Sequence, residues 1–203
     1  MTSRRATLFL IGVALSIAQF VLIRDFVSIL YGEEVVIVLV TASFFLGLSV
    51  GYLLALRLSA RVFRGLFLVS VFIHLSLPFS YRLLAARFAA WDVGGYAYLA
   101  LLGVYALIFN TVFAIFLPRL IATGDDDPDL RSEDARLRLY YGLELAGFMV
   151  GFGLVALSWH RPAVYLLAPY WLILGVLLHL VLRRVAWTGA FAALAASGLF
   201  FFD

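Results

Sequence analysis

The chain has 203 residues, 65% of them hydrophobic and 13% charged, with a mean hydropathy of +1.07 and a formal charge of +3. A soluble domain carries roughly half apolar and a quarter charged residues, and folding a chain of this size hides only about 70% of its surface, so lipid has to be its second solvent. With no cysteine, disulfide frameworks, thiolate nucleophiles and cysteine-ligated zinc or iron–sulfur sites are excluded.

A bilayer core about 30 Å thick needs roughly 20 apolar residues per helix. Seven stretches meet that need and predict an all-α integral membrane protein, a single bundle of about seven transmembrane helices. The first helix is expected over about 7–31, interrupted by Arg24 and Asp25 and closed by Gly32. The second is expected over 35–58 and is led in by Glu33 and Glu34. A charge at the bilayer centre costs about 3 kcal/mol or more unless paired or hydrated, so Arg24, Asp25, Glu33 and Glu34 are expected to gather in the outer leaflet, with Gln19 extending the cluster inward. Two readings stay open: a salt-bridged staple of the first hairpin, or a gate or ligand site at the outer mouth.

The second helix repeats a small residue every fourth position, Ser43, Gly47, Gly51 and Ala55, which keeps them on one face. A third helix is expected over 65–81 and holds His74. Segment 82–93, with Arg82, Arg87, Trp91 and Asp92, is either an amphipathic helix in the headgroup zone or a continuation of the third helix. Gly94-Gly95 precedes a fourth helix over 96–121, in which Asn110, Thr111 and Pro118 are expected to satisfy interhelical hydrogen bonds or relieve a kink. Residues 123–138 form the one long polar connection, with Asp125, Asp126, Asp127, Asp129, Glu133 and Asp134. It is either a solvated linker or an acidic surface for a basic partner.

The fifth helix is expected over 137–159 and carries Glu144 followed by Gly147 and Gly151. Helices in lipid meet through small residues, so the second and fifth helices are expected to be central and closely packed, within the chain or against a partner. Glu144 has no local cation, since positions 140 and 141 are tyrosine. It is either a proton or cation relay or a structural carboxyl held by tyrosine. The sixth helix, over 163–182, opens after Arg161-Pro162, and the seventh, over 186–202, is short. His74 and His179 lie at different depths, roughly 15 Å and 6 Å from the nearest arginine belt at 1.5 Å per residue, and His160 sits in a connection. That spacing argues against a bis-histidine haem.

Orientation follows from arginine. Arg4, Arg5, Arg57, Arg61, Arg64, Arg119, Arg131, Arg136, Arg138, Arg183 and Arg184 fall on one side, against Arg24, Arg82, Arg87 and Arg161 on the other. Positive charge stays in the cytoplasm, which puts the N-terminus inside. No phosphate loop, nucleophile–base set, paired soluble carboxylates or basic–aromatic nucleic-acid patch occurs, so no catalytic residue, cofactor, metal or nucleic-acid partner is expected.

Short motifs resemble the N-terminal membrane domain of the fused spermidine synthase-like proteins of bacteria. They are Gln19, Arg24-Asp25, Gly32-Glu33-Glu34, Gly47 with Gly51, Leu117-Pro118-Arg119, and Leu139-Tyr140-Tyr141-Gly142-Leu143-Glu144 with Gly147 and Gly151. The resemblance covers most of residues 10–155, and departs at Glu144, where that family has Asn or Asp. It implies a multi-pass protein of the bacterial inner membrane, possessing in typical members an aminopropyltransferase-like domain that binds decarboxylated S-adenosylmethionine and a polyamine. That domain's motifs are not in this sequence. A second stretch, Gly51 to Arg64, looks like the loop between helices two and three of major facilitator transporters, without its acidic residue. The expected function is a non-catalytic membrane anchor or scaffold, a subunit of a larger complex or a homo-oligomer. The alternative is half of a small-cation or polyamine transporter.

Overall fold

The computed structural model describes residues 2–30, 33–91, 94–122, 132–158, 160–161, 164–182 and 185–200. Among them are eight helices and no strand: α1 (Thr2–Leu30), α2 (Glu33–Ala55), α3 (Ala60–Ala90), α4 (Gly95–Ala114), α5 (Phe116–Ala122), α6 (Glu133–Ser158), α7 (Val164–Leu182) and α8 (Val185–Phe200). Five stretches are long and apolar enough to cross a membrane, Arg4–Val27, Glu34–Ala55, Gly95–Ala122, Glu133–Ser158 and Tyr165–Leu182. At 16 residues, α8 spans roughly 24 Å and falls short of a bilayer core.

Local chemistry moves several expected boundaries. The third helix begins at Ala60 because the Ser59 hydroxyl accepts from the Val62 N–H at 3.3 Å, a serine N-cap that satisfies one orphan donor of the first turn. It runs on through Arg82 and Arg87 to Ala90, so residues 82–90 continue the third helix rather than forming a separate one. Ser132 does the same for α6, accepting from Ala135 N–H at 3.1 Å, with Glu133 and Asp134 favoured against the positive end of the helix dipole. Residues 133–138, expected to belong to the polar connection, are therefore the first turns of α6. The acidic stretch 123–131 lies outside the described residues, as do Tyr31-Gly32, Asp92, Trp159, Pro162 and Arg183-Arg184.

The expected fourth helix breaks into α4 and α5 at Ile115. Pro118 has no N–H for the carbonyl of Ala114, and just ahead of it the Ile115 N–H reaches back only to Val112 O at 3.4 Å. Beyond the break, the guanidinium of Arg119 donates to the carbonyls of Leu58 at 2.7 Å and Ala55 at 3.3 Å and lies 4.7 Å from the Phe63 ring centre. One side chain thus serves the unpaired carbonyls at the end of α2 and stacks on α3. Arg136 repeats the device, donating from Nε to Ile121 O at 3.1 Å and tying the start of α6 to the end of α5.

Helix α1 lies at the centre. Buried residues make up 67% of its span, against 33% for α2 and 22% for α6, which corrects the expectation that the second and fifth helices are central. They are instead the outer members of two glycine seams. A Cβ on Gly147 would collide with Phe9 O, one on Gly151 with Ser16 Oγ, and one on Gly12 with Glu144 O, so α1 and α6 touch backbone to backbone. On α2, a Cβ at Gly47 would meet Asn110 Cβ at 2.8 Å and Leu107 O at 3.0 Å, and one at Gly51 would strike Thr111 O. Ser43 is buried on that seam beside Gly103, and Ala55 is buried where Arg119 caps the helix. Residue numbers rise together along both seams, so each pair is parallel.

Since α2 and α4 run in the same direction, α3 must carry the chain back over the same length. It does so antiparallel to α4–α5, through Phe63–Phe116 at 4.8 Å, Phe67–Phe113 at 5.9 Å and Phe88–Tyr98 at 5.5 Å. On the other flank, α7 and α8 pack through Gly175 against Phe191 and Gly198 against Trp171.

Gly12→Ala is expected to lower stability by about 1–3 kcal/mol, the cost of overpacking a tight contact. Gly153→Ala, whose added carbon would meet nothing within 4 Å, leaves it unchanged or slightly higher. Unfolding in mixed micelles checks both.

Candidate functional site

The candidates Arg24, Asp25, Glu34 and Glu144 fall in two separate regions of the bundle. Near the end of α1, Asp25 is buried and Arg24 exposed, with Arg24 Nε 3.7 Å from Asp25 Oδ1. Sequential helix neighbours do not face each other, so this is a long single contact rather than a forked pair. Gln19 is half-buried further in. Glu34 is exposed on the first turn of α2 and makes no ion pair among the described residues, in a position where the dipole of α2 favours a carboxylate. Glu33 opens α2, and its side chain lies outside the described residues. Arg24 is thus joined to Asp25 and not to Glu34.

Glu34 stands instead at one end of a lateral groove of about 860 Å³ between α2 and α4, walled by Val38, Leu46 and Val104 and floored by Ser43 and Gly103. A second cavity, of about 500 Å³, lies between α7 and α8 against Trp171, Gly175 and Phe191, with His179 and Thr188 on its wall. Both are overwhelmingly apolar surfaces.

Glu144 belongs to neither. Its backbone carbonyl abuts Gly12, twelve residues or roughly 18 Å along α1 from Arg24. Its side chain is only 8% exposed, yet it makes no hydrogen bond or ion pair among the described residues. Tyr141, one turn earlier on α6, shares its face, and Tyr52 of α2 lies within electrostatic reach of Glu144 and Tyr141. The register agrees. Phe44 of α2 meets Phe148 of α6 at 5.6 Å, and α2 runs antiparallel to α6, which brings Tyr52 level with residues 140 and 141.

His74 is fully buried, with Nδ1 hydrogen-bonded to the Tyr170 hydroxyl and its ring edge-on to Phe113 at 4.8 Å. This ties α3 to α7, while His179 lines the α7–α8 cavity and His160 lies exposed in a connection. Asn110 and Thr111 do not bond across helices as expected. Asn110 Nδ2 donates to Ala106 O at 2.7 Å and Thr111 Oγ1 to Leu107 O at 2.8 Å, because Gly47 and Gly51 bring α2 backbone against them and leave no acceptor other than their own previous turn.

Sequence reasoning passed over Gly12, Tyr52 and Tyr170, and counted Arg119 only for sidedness and as part of a motif. Only Gly12 carried a signal, its four-residue spacing to Ser16; the others matter through partners far away in the chain. No family model, curated protein or solved structure matches the chain.

Tyr170→Phe and His74→Leu are each expected to cost about 1–3 kcal/mol, because either leaves a buried polar group short of a partner. The double variant is expected to cost less than the sum, as for any two residues sharing one bond. A double-mutant cycle on unfolding in mixed micelles reads the difference.

Proposed function

We propose that this chain is a non-catalytic membrane module that anchors or scaffolds a protein partner in the bacterial inner membrane. It crosses seven times with its N-terminus in the cytoplasm, and is related to the membrane domain of spermidine synthase-like proteins. The observation that carries this reading is the outward face of α6. Gly147 and Gly151 are consumed by α1 inside the chain, whereas Gly142, Ala146, Met149, Gly153 and Ala156 are all exposed and alternate at spacings of four and three. Nothing covers Gly142 or Gly153. A second helix can approach such a face as closely as α1 approaches the first. The antiparallel course of α3 along α4–α5 supports counting α3 as a crossing, and α8 supplies the seventh if lipid thins or loops flank its ends.

A second reading, half of a small-cation or polyamine transporter acting as an oligomer, is favoured by one observation, the unpartnered carboxyl of Glu144. Distance weighs against it, since Glu144 lies roughly 18 Å along α1 from the Arg24–Asp25 region, with the closely packed α1–α6 seam between them.

The chain contains no cysteine, so single cysteines report sidedness without background. Gly94→Cys is expected to react with a membrane-impermeant maleimide in intact cells, and Ser59→Cys and Ser132→Cys only after lysis. Labelling of Ser59→Cys and Gly94→Cys from the same side would refute the crossing of α3. Mild solubilisation is expected to yield a stoichiometric complex that Gly142→Leu with Gly153→Leu disrupts while thermal stability is kept. A homogeneous monomer with no companion defeats the scaffold.

A further inference from the structure

An acid placed in a membrane interior and left without a protein partner is expensive, and Glu144 is such a group. It is six residues beyond Arg138 on α6, roughly 9 Å inside the arginine belt, and 8% exposed. Among the described residues nothing donates a hydrogen bond to it and no arginine pairs with it. Its position is not slack. The α1–α6 seam fixes its backbone against Gly12, with Gly147 one turn beyond, and the Phe44–Phe148 contact holds α2 over it. Around it stand two tyrosines, Tyr52 and Tyr141, which are 41% and 53% exposed on the lateral surface of the bundle. A carboxylate flanked by aromatic rings is the chemistry that recognises an organic ammonium group. The carboxylate accepts its N–H bonds and the ring faces attract its charge.

The opening decides the rest of the ligand. Tyr52 and Tyr141 face outward beside Phe45, Leu56, Leu137 and Leu145, all exposed and apolar, so whatever reaches Glu144 comes sideways through lipid. We propose that Glu144, Tyr52 and Tyr141 form a laterally open site for the head of a membrane-partitioned alkylammonium cation, with its apolar tail lying along the exposed faces of α2 and α6. An inorganic cation lacks the tail that would carry it there, and finds one carboxylate where potassium or sodium would need several oxygens. The site goes beyond the anchoring role and does not require transport. Binding to detergent-purified protein tests the site, whereas flux into vesicles tests transport, so either can fail alone.

The test is titration calorimetry of the purified full chain with octylammonium, with octanol as its neutral counterpart and potassium as the bare cation. Octylammonium is expected to bind at least about tenfold more tightly than octanol, the equivalent of about 1.4 kcal/mol, and potassium not measurably. Glu144→Gln, nearly isosteric, removes that preference. Tyr52→Phe keeps a ring face and is expected to bind within about twofold of wild type, whereas Tyr52→Leu weakens binding by about two- to fivefold, as loss of an exposed cation–π contact implies. Equal binding of octanol and octylammonium by the wild type overturns the proposal, and needs no variant to fold. So does a Glu144→Gln protein that is monodisperse, melts like wild type and still prefers the ammonium.

Discussion

Backbone-to-backbone contact through glycine is the constraint on which this bundle depends. In water, two helices meet because apolar side chains leave the solvent; in lipid that gain vanishes, and what remains is dispersion at short range. The α1–α6 and α2–α4 seams supply it at Gly12, Gly147, Gly151, Gly47 and Gly51, where a single methyl would run into a carbonyl or side chain of the facing helix. Everything else is arranged around these two pairs. The aromatic ladder of α3 braces α4–α5, and α7 closes over α1 and α3 through the His74–Tyr170 bond.

Charge is handled with similar economy. Arg119 and Arg136 each donate to carbonyls at a helix end that would otherwise be unpaired, which satisfies backbone and guanidinium together. Asp25 has Arg24 beside it. Glu144, although buried, has no such arrangement among the described residues.

The membrane class and most of the helices were legible in the amino-acid pattern because hydropathy over 20 residues is a strong signal. Gly47, Gly51, Gly147 and Gly151 were legible as packing residues for the same reason that they pack, their spacing on one face. Which helix each would meet was not legible. A stripe on α2 or α6 says that something comes close and nothing about what, and so α1, with its single Gly12 and large aliphatic residues, went unrecognised as the hub. Ser59 and Ser132 were lost inside polar connections although each is a recognisable cap. Glu34 stands on the groove side of α2, and among the described residues the ion pair of Arg24 is with Asp25. Of the candidate site, Glu144 and Tyr141 could be named from their spacing on α6. Tyr52 could not, being brought in by the register of two helices separated by most of the chain.

The pairing of α1 with α6 also bears on how the protein is made. The ribosome releases Gly12 about 135 residues before Gly147, so α1 reaches its main companion only after the intervening helices have been made. Until then the face around Gly12 lacks the α6 backbone that fills it. Assembly of this kind couples two helices made far apart in time, and the hub becomes secure only once α6 has joined it.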